Sequence, residues 1–414
     1  MKYIDDLKQI YEILNEHPSL LPPYEAKESL IDDFNNRVNG YLSVIDTISS
    51  TYPSNSIIKK VSAKKSTITS FAEKITVTLT EYLKGNIREA YSTFDQAITR
   101  TAMNKHLYNM TRPLTKICND HHPLFRVRSS QTILKERKEL FHIPFEDRHH
   151  VGAMRFSVSG LPCLYLGSSI FVCWQEMGKP DFDKLYISSF KTDSNSQELR
   201  ILDLGYNLTS AVKTNPLDIF FGFENDYILE EDTEFSEISE RSRNNSGIWG
   251  EINIISKLIA WPLVLACNYS KNHIDAKFHR EYIIPNLLMQ WISSDKNKEI
   301  SGISYRSTKI LNQKNNDIGL NVIIPPKKDS LTPDCTGHCP VLKQTFSLTK
   351  PVSWTFFSTL EIVPERFKGE RSEIHGSQPR IEDFDESLVD LYGTTTFKKV
   401  ELLIDQMMRY ERLP

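Results

Sequence analysis

The sequence predicts a chain of two textures: an all-helical N-terminal domain over residues 1–115, followed by a domain of α/β or α+β type. Two observations carry this. Apolar residues recur at helical spacing through the first part, as in Leu7, Ile10, Tyr11 and Leu14. After Pro113 short β-rich runs alternate with helical ones.

In chain order, Phe71, Ile75, Leu79 and Leu83 mark one helix, and Gly85-Asn86 break it. A second runs through Ala90, Phe94 and Ile98, and Pro53 to Ser56 supply a loop. Strands are predicted at Leu124 to Val127, Pro162 to Leu166, Lys184 to Phe190, Leu199 to Leu204 and Ile300 to Tyr305, with helices at Trp249 to Ile259 and Tyr282 to Ile292. A charged stretch runs from Pro364 to Glu386. Phe397 to Tyr410 then returns to helical spacing, as a segment expected to dock on the body or on a partner.

With 50 basic against 53 acidic residues the net charge is −3, which gives no general attraction to nucleic acid or to an anionic membrane. Any anion site must be a local cluster. The longest apolar run, Leu258 to Cys267, is interrupted by Pro262 and is too short to span a bilayer. The start MKYIDDLKQIY lacks the apolar core of a signal peptide, and six scattered cysteines form no disulfide framework. The expectation is a soluble, reduced, cytoplasmic protein.

The densest chemical signal is Met154-Arg155-Phe156-Ser157, then Leu164-Tyr165-Leu166-Gly167-Ser168-Ser169, then a short helix holding Glu176. Ser168 or Ser169 suits its N-cap and Gly178 its stop. Ile170, Cys173, Trp174 and Met177 are expected as the buried stripe, with Glu176 about 60° off it. The helix N-terminus offers N–H groups to a phosphate. Arg126, Arg128 and Arg155 lie nearby in sequence, and guanidinium forks match phosphate oxygens. Gly302 to Lys309 reads as a strand running out into a loop with small hydroxyl residues.

Together these segments resemble the RES domain, a family of NAD-destroying toxins and ADP-ribose-transferring relatives with a fold like that of diphtheria-type ADP-ribosyltransferases. The matching pieces are Phe125-Arg126-Val127, Arg155-Phe156-Ser157, Pro162 to Leu166, Glu176, and Gly302 to Thr308. The resemblance implies an α+β, mixed-sheet catalytic domain over 116–365 with an insertion at about 180–280, and a C-terminal segment 366–414. It implies Glu176, Arg155 and Ser307 as catalytic residues, and Arg126, Arg155, Tyr165 and Ser307 as NAD-binding residues. NAD is then substrate and no metal is expected. The family setting implies a toxin or anti-phage effector with an inhibitory antitoxin or regulatory protein, and leaves room for a homo-oligomer.

The residue types suit that chemistry. Nicotinamide leaves a cationic pyridinium as a neutral amide, so no acid is needed and one carboxylate suffices, unlike the pair of ordinary glycosidases. Glu176 would stabilise an oxocarbenium-like transition state and orient the attacking group. The arginines would fix the pyrophosphate, Tyr165 would stack on nicotinamide, and Ser307 would bond a ribose hydroxyl or the carboxamide. The same set serves glycohydrolase, phosphorylase or protein ADP-ribosyltransferase. Rival readings are a catalytically silent NAD-binding module and a HEPN-like RNase built on Arg100 and His106.

Other signals are discounted. Cys335-Thr336-Gly337-His338-Cys339 lacks a second ligand pair for zinc, and the doublets His121-His122 and His149-His150 lack a third ligand. The acidic run Glu224 to Glu240 reads as a solvated loop or a contact for a basic partner.

Overall fold

Helical periodicity at the N-terminus and β-rich runs after it both fold as their patterns require. The structure, a computed structural model, describes residues 2–20, 22–26, 29–99, 103–192, 199–205, 251–273, 276–297, 299–309, 318–327, 335–359 and 392–414. Helices α1 (Lys2–Asn15), α2 (Leu30–Thr51), α3 (Ser56–Ser62), α4 (Lys65–Leu83), α5 (Ile87–Thr99) and α6 (Met103–Asn109) come first. Strands β1 (Thr111–Pro113), β2 (Leu124–Ser129) and β3 (Leu164–Gly167) follow, then α7 (Ile170–Glu176), β4 (Leu185–Lys191) and β5 (Arg200–Asp203). Helix α8 covers 251–259, ahead of α9 (Trp261–Cys267), α10 (Ile283–Ile292), β6 (Ile300–Arg306) and β7 (Leu320–Ile324). Last come α11 (Pro340–Thr345), β8 (Ser347–Leu348), β9 (Val352–Ser353), α12 (Trp354–Thr359), α13 (Thr396–Met407) and β10 (Glu411–Arg412).

The chain divides into two compact units, each discontinuous in sequence. The first takes Met1–Leu114, Val151–Leu161 and Leu199–Thr308. Helix α2 starts at Ser29, whose side chain accepts from the Asp32 N–H, with Asp32 and Asp33 favourably placed at the positive end of the helix. Phe71, Ile75, Leu79, Ala90, Phe94 and Ile98 are buried as expected, whereas Leu83 is exposed at the last turn of α4. The N-terminal helices are not a domain by themselves. Every residue of α9 is buried, and α2 and α4 pack against it, while α4 and α5 also cover α10. Tyr41 stacks on Trp261 at 5.6 Å and its hydroxyl donates to Leu258 O at 2.5 Å. Trp291 Nε1 likewise donates to Thr99 Oγ1 at 2.9 Å. The expected boundary near 115 thus separates two units, but 199–308 belongs with the helices because the apolar faces of α9 and α10 need that cover. In this unit's mixed sheet, β5 pairs antiparallel with β1 and parallel with β6.

The second unit takes Thr115–His150, Pro162–Glu198 and Lys309–Pro414. Its strands run β7-β3-β2-β4-β8-β10, all antiparallel, with β9 also on β4. The side chains of Phe125, Val127, Leu185 and Ile187 make a core with Ile170, Phe171 and Val172 of α7 and Phe397, Val400 and Ile404 of α13. The C-terminal helix therefore docks on its own body. That docking corrects the expected stripe on α7. Phe171 and Val172 are buried alongside Ile170, and Met177 is exposed, because the helix is covered on two sides rather than one. The α+β, mixed-sheet class holds. The boundary expected at 365–366 lies outside the described residues, as do 206–250 of the expected insertion. No helix among the described residues is long and apolar enough to cross a membrane.

Candidate functional site

Arg126, Tyr165 and Glu176 share the second unit. A glycine sets their arrangement. Gly167 lies opposite Asn321 in the β3–β7 ladder, and a Cβ there would come 2.6 Å from both Cys173 Sγ and Val172 Cγ1. Without that Cβ, α7 lies directly on the sheet. Ser169 caps the helix by accepting from the Val172 N–H, and Gly178, at φ +82°, lies just past its end.

At the end of α7, Glu176 Oε1 accepts from Asn321 Nδ2 at 2.9 Å. Lys309 Nζ sits 3.8 Å from Oε2 and donates to the carbonyls of Gln175 and Glu176, each at 2.8 Å. The lysine thus satisfies the open carbonyl end of the helix while flanking its last carboxylate. The carboxylate is oriented and retains about a quarter of its exposure (25%), so it can still meet a ligand. Neither Asn321 nor Lys309 is given a role by the sequence reading. The available signal was Asn321 itself, a polar residue, buried here, inside the apolar run Leu320 to Ile324.

Arg126 is the electrostatic anomaly of the unit. Pairing of β2 with β3 is limited to Phe125↔Gly167, and next to it Arg126 Nη1 donates to Tyr165 O at 3.1 Å. Its Nε is buried without a hydrogen-bond partner, and no carboxylate pairs with it among the described residues. Burial first, and then Arg128, pushes its pKa down to about 10, which still leaves it cationic at neutral pH. A half-buried cation whose hydrogen bond among the described residues goes to a neutral carbonyl is costly, and an anionic ligand would relieve that cost. Arg128, by contrast, is exposed and donates to Glu139 O at 2.8 Å.

The expected phosphate position at the start of α7 is corrected. Its N–H groups are already used: Ile170 N donates to Glu401 Oε1 at 2.8 Å and Val172 N to Ser169 Oγ at 3.0 Å. Glu401 is buried and also accepts from the Tyr392 hydroxyl at 2.5 Å. The carboxylate of α13 therefore stands where the phosphate was placed.

Arg155 and Ser307 belong to the first unit. Arg155 is buried, with Nη1 donating to Cys267 O at 2.8 Å and Nη2 to Tyr269 O, and its guanidinium lies 4.9 Å from the Tyr282 ring centroid. Its neighbour Phe156 holds φ +56°, unusual for a bulky side chain, and packs 5.0 Å from the Tyr305 ring. Ser157 N donates to Asn286 Oδ1 at 3.0 Å. These bonds over-determine the Arg155-Phe156-Ser157 turn and make Arg155 its anchor. Ser307 is buried just beyond β6.

All six cysteines are free thiols. Burial pushes Cys118, Cys163 and Cys173 up to about 12, so none of these is a thiolate nucleophile. His142 is pushed down to about 3 by burial, and its Nε2 accepts from the Cys339 N–H at 2.9 Å. It is a neutral structural ring beside His338, 5.0 Å away. The stretch Cys335 to Cys339 contributes no metal-ligand group among the described residues. His121 and His122 donate their N–H groups to Asn119 Oδ1 in a loop. For His149 and His150 the sequence expectation is corrected, since Asp147 supplies a third donor. Of the RNase pair, Arg100 lies outside the described residues, as does the acidic run Glu224 to Glu240. His106 is described, and its Nδ1 is 3.1 Å from Ser256 Oγ.

No family model matches the chain, and no solved structure matches it. The chain is 33% identical over 310 residues to a protein of Bacillus subtilis (strain 168) described as "Putative toxin YopC". The match covers 73% of this chain and 62% of that protein, so the similarity reaches most of this sequence and under two thirds of the relative.

Proposed function

We propose that this protein consumes NAD by cleaving its nicotinamide–ribose bond, as a glycohydrolase or phosphorylase, and acts as a toxin or defence effector. The observation that carries the reading is Arg126, a half-buried cation whose Nε is buried without a hydrogen-bond partner and which has no carboxylate partner among the described residues, in the same unit as the oriented carboxylate Glu176. A substrate with a pyrophosphate and a cationic leaving group has use for both. The RES-like motifs support the choice of NAD, and the name of the similar Bacillus subtilis protein supports the toxin role.

In this reading the pyrophosphate neutralises Arg126, and Tyr165 meets the nicotinamide side. The bond between the ribose C1′ and the nicotinamide nitrogen breaks, and its electron pair leaves with nicotinamide. Glu176 stabilises the positive charge left on the ribose. An oxygen of water or phosphate attacks C1′, and with water Glu176 accepts the proton released. Asn321 and Lys309 hold the carboxylate for that role. The resemblance assigns Arg155 and Ser307 to the same reaction. The reading here rests on Arg126, Tyr165 and Glu176. A neutralising partner protein belongs to the same proposal, since NAD depletion harms the producing cell.

The test is purified protein with NAD, with and without inorganic phosphate. Nicotinamide release is expected, with ADP-ribose or its 1″-phosphate as co-product. Glu176→Gln should lower the rate by at least ~100-fold, the order seen when one electrostatic stabiliser is removed, and should keep the Tm. Full activity in that variant overturns the mechanism. NAD label transferred to a protein of a cell extract assigns the acceptor as protein instead of water or phosphate.

A further inference from the structure

A turn of the second unit presents three unused metal-binding side chains. Residues Phe145–His150 form a 3-10 segment kinked at Asp147. The kink at Asp147 (φ −98°, ψ 23°) interrupts the regular 3-10 path between it and His150. The rings of His149 and His150 lie 3.9 Å apart. The ligand atoms of Asp147, His149 and His150 all fall within 4.8 Å of one another.

The remaining side chains of the turn have other tasks. Phe145 is buried, and its N–H donates to Gly337 O at 2.8 Å. Glu146 Oε2 accepts from the Gly337 N–H at 2.6 Å. Arg148 donates to Cys335 Sγ at 3.1 Å and lies over the Phe145 ring. The turn is thus anchored through Phe145, Glu146 and Arg148. The Asp147 N–H donates to Pro144 O at 3.0 Å, whereas the side chains of Asp147, His149 and His150 make no hydrogen bond or ion pair among the described residues. Arg148, the one cation inside the turn, is occupied elsewhere.

We propose that Asp147, His149 and His150 bind one divalent transition-metal cation of the zinc type. Two imidazole nitrogens and one carboxylate oxygen are the donor set that such borderline cations select, and calcium or magnesium would favour an all-oxygen set. Ligands at ~2.0–2.2 Å from zinc stand roughly 3.4 Å apart, so the side chains close by up to about 1.4 Å on binding, within reach of ordinary rotation. Three protein ligands leave a position for water or for a donor from another molecule. The cleavage chemistry proposed above uses no metal, so the two readings stand or fall separately.

The test is calorimetric titration of the metal-stripped full chain with Zn2+, Co2+ and Mg2+. One equivalent of Zn2+ or Co2+ should bind, with no heat from Mg2+. His149→Ala and Asp147→Asn should each weaken binding by at least ~10-fold. His149 is exposed and Asp147 half-buried, and equal Tm values without metal verify that both variants fold. Zn2+ should raise the Tm of the wild type and not of the variants. The Co2+ complex should lack a thiolate charge-transfer band. No binding, unchanged binding in both variants, or a thiolate band (a cation on Cys335 or Cys339) overturns the assignment.

Discussion

Among the described residues Arg126 has one carbonyl as its hydrogen-bond partner and no carboxylate, and under the proposed function this sets stability against activity at a single residue. Replacing it with methionine removes the unpaired charge and keeps the stem. We expect Arg126→Met to match or exceed the wild-type Tm, while kcat/KM for NAD falls at least ~10-fold, the loss of one charge-assisted contact of roughly 1.5–3 kcal/mol. A lowered Tm would mean that the guanidinium is structural. In the proposed reaction Asn321 acts through its hydrogen bond to Glu176, so Asn321→Leu should lower kcat more than it raises KM, which steady-state kinetics would separate. At this scale the sequence was informative about chemistry and silent about partners. The residue type and helical setting of Glu176 were legible, because a cap serine, a stop glycine and a short apolar helix are local signals. Asn321 and Lys309 were not, since each reaches Glu176 from well over a hundred residues away in sequence.

Helix α7 is the element on which the candidate site depends, and it is held from both sides. Below it, Gly167 permits contact with the sheet. Gly167→Ala should force Cys173 and Val172 away and cost about 1–3 kcal/mol by overpacking, read as a lowered denaturation midpoint. Above it, Glu401 bonds the first N–H of the helix. Burial raises the Glu401 pKa, opposed by Lys398, Tyr392 and the Ile170 N–H. A carboxyl raised by folding contributes stability that is complete below its ordinary value of 4.5 and is lost as pH rises through the raised value. Glutamine keeps the accepting Oε1 without the titration. The Tm difference between Glu401→Gln and wild type should therefore grow in favour of the variant from about pH 4 to pH 8. A constant difference would refute this. The helix ends were legible in Ser169 and Gly178, but its buried face was not, because α13 approaches from over two hundred residues away.

At the scale of the whole molecule, the helical N-terminal region is core and not appendage. A chain beginning at residue 115 would leave α9 and α10 without the cover of α2, α4 and α5. We expect it to aggregate when expressed, whereas a soluble, NAD-cleaving fragment would show the helices to be dispensable. Local periodicity had revealed helices and strands of each unit, and the expected change of texture near 115 lies beside the end of the first unit's opening segment, Met1–Leu114. It could not reveal that the chain returns to the first unit at 151–161 and again at 199–308. That pairing depends on which apolar face covers which, and no window of sequence contains both.

The clamp of Glu401 on the Ile170 N–H has a temporal meaning as well. A ribosome makes residue 170 long before residue 401. Until α13 emerges, Phe171 lacks the Phe397 ring that packs on it, and the first turn of α7 lacks its acceptor. A nascent or prematurely terminated chain would carry the carboxylate of the candidate site on an unsecured helix. Under the proposed function, that carboxylate would then be held for cleavage only once α13 has been made and has docked.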